Sequence, residues 1–290
     1  MFFHKLSSWV TLQNLKMPGV KLSCGEQALK IIETASKTVA HLHHQSEIEA
    51  RLDELAIKTN SIISLLYSYT LTDMETIDTD DEILNWTIPD VADELSAAIW
   101  NMSGAFYKTA ASCLRSALEM GIVSLYFQIL ENEKPNAKGY NKEFSGWDGG
   151  ETSTPNWGKM KPKIKQHQNV KQFTSAYGYC PIQAAHDYFK YLCSFTHSRS
   201  YSPEDGKGTN SMNMKNEIGC FHEEEFLRIS EAMDKTIAMI SATWAIIYPH
   251  IVKEWTDDSM DSSFVSLNKM FDTPHAVNAL NFAKNKERVS

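Results

Sequence analysis

The sequence contains no CxxC pair, and its five cysteines, Cys24, Cys113, Cys180, Cys193 and Cys220, are widely spaced and odd in number. Neither a zinc ribbon nor a dithiol redox motif is supported, and free thiols in a reducing compartment are the simplest reading. There is no G-x-S-x-G elbow and no cysteine with a local nucleophile signature, so nucleophilic catalysis has little support. HExxH is also missing; His41, His43 and His44 read as a solvated helix terminus, and neither a metal nor another cofactor is expected. Basic residues are in deficit, 28 against 36 acidic, giving a net charge of −8. That balance argues against a generally basic nucleic-acid binder, although a local patch remains compatible with it. The N-terminus lacks the uninterrupted apolar run of a signal peptide. Thr236 to Val252 holds no Asp, Glu, Lys or Arg, but it contains Ser241, Thr243, Pro249 and His250 and is short for a span. It reads as a buried core helix, so no membrane is expected and the cytoplasm is the expected location. Strand-type alternation, repeats and low-complexity tracts are absent from the pattern.

What is present is helical periodicity, which predicts an all-α chain. Ala28, Ile32, Ala35, Val39 and Leu42 form one stripe, and Ile48, Leu52, Leu55, Ile62 and Leu66 form another. The two are out of phase across residues 43–47, where Ser46 and Glu49 fit a capping box. Residues 1–72 therefore read as an N-terminal helical region in which 26–70 form a helical hairpin or one long kinked helix. Residues 73–88 read as an acidic linker, and Pro89 is expected to open the next helix, with Asp90, Asp93 and Glu94 in its first turn. A helical bundle over 89–256 follows, with long loops expected at 131–156 and 198–219. Gly104 marks a break or a close packing point. Residues 257–290 form a polar, weakly patterned tail.

Within this framework one pair stands out. Arg115 and Glu119 are four apart in an otherwise apolar helix, so they share a face. Charges there are costly unless satisfied, which makes the pair a packing pin or part of a site. His197 closes a helix beginning near Ile182 and is the expected third member. A histidine at a loop mouth suits proton transfer, and an arginine suits a developing phosphate anion. Lys159, Lys161, Lys163 and Lys165, beside Trp157 and Phe173, are the stretch where RNA would be held; a solvated face is the alternative. Glu204 to Thr209 lacks P-loop spacing and reads as an ordinary loop.

The apolar helix with Leu114-Arg115-Ser-Ala-Leu-Glu119, followed by Tyr191-Leu-Cys-Ser-Phe-Thr-His197-Ser, resembles the HEPN-like helical families of bacterial antiphage defence and toxin–antitoxin loci. The resemblance covers roughly residues 90–255. It implies a bundle of about four long helices, commonly dimerised, with Arg115, Glu119 and His197 at an inter-helix cleft. It also implies a metal-independent endoribonuclease effector or, alternatively, a non-catalytic sensor or scaffold that binds a partner protein. Nuclease members carry an arginine four to six residues before the histidine; here Arg199 follows His197 instead.

Overall fold

In the computed structural model, the residues described are 26–42, 45–71, 82–133, 141–196, 220–253, 270–271 and 273–287. Among them the chain forms helices and no strand, so the all-α expectation holds. The helices are α1 (Glu26–Leu42), α2 (Ser46–Leu71), α3 (Glu82–Ser103), α4 (Tyr107–Asn132), α5 (Lys142–Asp148) and α6 (Trp157–Gln166). They continue with α7 (Gln168–Tyr177), α8 (Pro181–Thr196), α9 (Glu223–Ile247), α10 (His250–Lys253) and α11 (Pro274–Glu287). The His43–His44 pair, the loop 198–219 with Glu204–Thr209, and residues 1–25 lie outside the described residues.

Two buried helices organise the bundle. α4 packs against α3, α6, α8 and α9, while α9 packs against α2, α4, α7, α8 and α11. Their crossing is tight because α4 offers Gly121 there. A Cβ at Gly121 would lie 3.0 Å from Ile240 of α9, and Trp244 Nε1 donates to the Gly121 carbonyl at 3.0 Å. Three hydroxyls in these apolar helices bond back to the preceding turn: Ser124 to Met120 O at 2.7 Å, Thr236 to Ala232 O at 2.8 Å and Thr243 to Met239 O at 2.7 Å. This satisfies them inside the core, whereas the buried Ser241 Oγ has no hydrogen-bond partner among the described residues.

The turn joining α3 to α4 is a Schellman motif. Phe106 N donates to Asn101 O at 2.7 Å and Ala105 N to Met102 O at 3.1 Å, with Ala105 at φ 59° where glycine is usual. Gly104 belongs to this turn, and a side chain on it would strike the Phe106 ring at 2.9 Å.

Several expected boundaries move. α1 and α2 are separate helices, and the Gln45 carbonyl accepts from Glu49 N at 3.0 Å at the start of α2. α3 begins at Glu82, inside the expected linker, and Pro89 lies within the helix rather than opening it. Proline costs about 3 kcal/mol in a helix interior, but Thr87 and Ile88 just before it are buried and help hold that turn in place. The long loop expected at 131–156 contains α5, whose Phe144 is buried against Phe127 and Trp147. The last long helix divides at Tyr248 and Pro249, because proline cannot continue the hydrogen-bond ladder. The expected tail contains α11, whose Ala276, Ala279, Leu280 and Ala283 enter the main core. That core runs without division from Leu42 to Ala283.

By length and composition, α4 is the one helix among the described residues that could cross a membrane, and 67% of its most apolar window is buried inside the bundle. The segment Thr236–Ile247, also apolar, is buried throughout, as expected of a core helix.

Candidate functional site

α4 carries Arg115 and Glu119 on its less buried side, each directly after a core leucine, Leu114 and Leu118. The two do not close into a hydrogen-bonded pair: Arg115 acts on Glu119 through its charge alone. Arg115 Nε is buried with no hydrogen-bond partner. Burial lifts the Glu119 carboxyl above the usual range, and the Arg115 charge only partly offsets it.

Arg115 points toward neighbours on two other helices. On α8 it acts on the Cys193 thiol by charge and a side-chain hydrogen bond, opposing the burial that raises that thiol. On α3 its charge reaches Glu94, whose carboxyl is raised chiefly by burial and further by Asp90 and Asp93. Glu94 in turn meets Cys113 of α4, a thiol pushed up to about 11 by burial and by that carboxylate. Arg115 is thus a cation set among the carboxyls of Glu94 and Glu119 and the Cys193 thiol. This surrounding is acidic, and it works against docking a phosphodiester.

Cys193 stands four residues before His197 in the sequence, and His197 lies outside the described residues. The structure therefore brings Arg115 and Glu119 to the last turns of α8, and the third expected member falls beyond it.

The lysine stretch is distributed among local partners. Lys159 pairs with Glu143 at 2.8 Å, and Lys163 pairs with Glu133. Lys165 donates to Gln183 Oε1 at 3.4 Å. Lys161 Nζ lies 3.3 Å from His186 Nδ1, and an ammonium can only donate, so the imidazole nitrogen accepts. Burial, with the Lys190 and Lys161 charges behind it, lowers the His186 pKa and keeps the ring neutral. That ring stacks on Trp157 with centroids 4.9 Å apart. These lysine contacts link α6 to α5, α8 and the end of α4.

Two further arrangements were not apparent from the sequence. Arg51, Glu54 and Lys58 of α2 meet Ser230 and Asp234 of α9. Arg51 Nε donates to Ser230 Oγ at 2.6 Å, Arg51 also pairs with Asp234, and Lys58 pairs with Asp234 at 2.7 Å and Glu54 at 3.2 Å. The second is a cleft of about 480 Å³ between α8, α9 and the start of α11, walled by Tyr188 and Tyr191 and edged by Arg228, Glu231 and Lys235. Its only signals in sequence are Tyr188 with Tyr191 and Glu231 with Lys235 at helical spacing. Among the described residues no group of three His, Cys, Asp or Glu side chains is placed to hold a metal ion.

Comparison with family models, curated proteins and solved structures returns no match.

Proposed function

We propose that this chain is a non-catalytic helical sensor or scaffold, HEPN-like in build, that binds a partner protein or a second copy of itself in a prokaryotic defence or stress setting. The observation that carries the reading is Trp100 on α3, a bundle helix, with 56% of its surface exposed. Tryptophan is enriched among the residues that dominate interface energies, because it buries a large rigid surface at small entropic cost. The lysines engaged with Glu143, Glu133, His186 and Gln183, and the acidic neighbours of Arg115, add support by weakening an RNA-handling role. Light scattering coupled to size exclusion, with the chain alone and with its neighbouring gene products, tests it. The expected result is a species heavier than the 32.9 kDa chain that Trp100→Ala returns to monomer. A strict monomer under all those conditions refutes it.

A second reading, a metal-independent endoribonuclease, is favoured by the unpartnered Arg115 Nε close to the helix that leads to His197. Cleavage of RNA in chelator, lost in His197→Ala and Arg115→Ala, is its expected result; cleavage unchanged in His197→Ala refutes it.

A further inference from the structure

The cleft between α8 and α9 holds two opposite charges that do not pair. Glu231 and Lys235 are four residues apart on α9, in the Glu-before-Lys order that ordinarily closes into an ion pair. Here Lys235 instead lies over the Tyr188 ring, 4.7 Å from its centroid. A ring face engages one side of an ammonium that carries three donors. The other charges around the cleft are tied elsewhere: Arg228 to Glu225 at 3.4 Å, and Asp187 to Lys190 at 3.6 Å and to Gln183. Among the described residues, Glu231 and Lys235 are thus left as an acceptor and a donor about one helical turn apart on the same cleft.

The wall beside them is aromatic and fixed. The Tyr188 hydroxyl donates to Ala232 O at 2.8 Å, which locks that ring onto α9. Tyr191 stacks on Tyr188 with centroids 5.6 Å apart and planes 21° apart, and Phe195 meets Tyr191 edge-on at 4.9 Å. Tyr191 is nevertheless 44% exposed, so it keeps free ring surface. A cleft of about 480 Å³ falls in the size range of small-molecule sites.

We infer that this cleft binds a free α-amino acid with an aromatic side chain. Its ammonium is accepted by the Glu231 carboxylate, its carboxylate takes the Lys235 ammonium, and its ring lies against Tyr191. The ligand's two charges sit on one carbon, which suits an acceptor and a donor one turn apart. Its zero net charge suits an edge where the remaining charges are already neutralised in pairs. A purely anionic ligand would leave the Glu231 carboxylate opposed and unpaired, and a purely cationic one would do the same to Lys235.

The test is calorimetric titration of the full chain with L-phenylalanine, L-tyrosine and L-tryptophan, each beside its N-acetyl and carboxamide derivatives. At least one free amino acid is expected to bind, and blocking either end should weaken binding at least tenfold, as charged hydrogen bonds lost in a cleft do. Glu231→Gln is expected to weaken the free amino acid and abolish discrimination against the N-acetyl form. Lys235→Met is expected to abolish discrimination against the carboxamide. The derivative series on the unaltered chain keeps the test decisive if a variant fails to fold. Absence of binding by all three amino acids at millimolar concentration overturns the assignment, as does equal binding of free and blocked forms.

Discussion

Trp244 of α9 donates its indole N–H to the carbonyl of Gly121 on α4 at 3.0 Å, at the point where a side chain on Gly121 would press on Ile240. One residue's lack of a side chain therefore sets both the helix spacing and a buried hydrogen bond. Gly121→Val is expected to destabilise the fold by about 1–3 kcal/mol through overpacking. Trp244→Phe, which keeps most of the ring volume, is expected to cost about 1 kcal/mol for the lost bond. Urea denaturation followed by far-ultraviolet circular dichroism measures both; equal stability of Gly121→Val and the parent would refute the close-crossing account.

Asp234 is the acceptor that Arg51 and Lys58 share, and the Lys58 side chain is only 4% exposed. Removing Asp234 takes the shared carboxylate from Arg51 and from the buried Lys58 ammonium and leaves the partly exposed Glu54 as their common acidic partner. A loss of up to about 3–5 kcal/mol, typical of breaking a buried pair, is expected. Asp234→Ala should therefore be far more damaging than Glu54→Ala, because the Glu54 side chain is 43% exposed and exposed pairs contribute about 0–1 kcal/mol. Comparable losses in the two variants, measured by denaturant titration, would contradict this ranking.

Glu119 supplies a pH prediction with a definite sign. Its folded-state pKa is raised above the ordinary 4.5, chiefly by burial. The folded chain therefore holds that proton more tightly than the unfolded chain. The associated stability is present below pH 4.5 and is lost as pH rises from there through the folded pKa. Glu119→Gln should be more stable than the parent at pH 7, because it removes a buried carboxyl that must ionise there. The advantage should shrink toward pH 4. Stability curves measured across pH 4–8 check it, and a variant less stable than the parent at pH 7 would mean that the Arg115 charge outweighs burial.

The fold class was legible because the long helices carry continuous apolar stripes; α8 begins within one residue of the expected Ile182, while the expected close at His197 lies outside the described residues. α5 escaped notice because a seven-residue helix shows too few apolar positions to establish a period. α11 escaped because its core positions are mostly alanine, Ala276, Ala279 and Ala283, which bury well but mark a stripe weakly. Of the candidate site, the position of Arg115 and Glu119 on one helix was readable from spacing. Their failure to pair was not, because it depends on Cys193 and Glu94, which belong to other helices. The Arg51–Asp234 contact joins residues 183 apart in the chain, beyond any local pattern.

The place of α11 bears on how the protein is made. Ala276, Ala279, Leu280 and Ala283 pack against α9 and complete the core, and Phe282 meets Phe173 of α7 edge-on at 5.5 Å. During synthesis every other described helix emerges before α11 does. The apolar face of α9 that α11 covers stays open until α11 itself has been made, and the nascent chain depends on that segment to withdraw a sticky surface from the crowded cell.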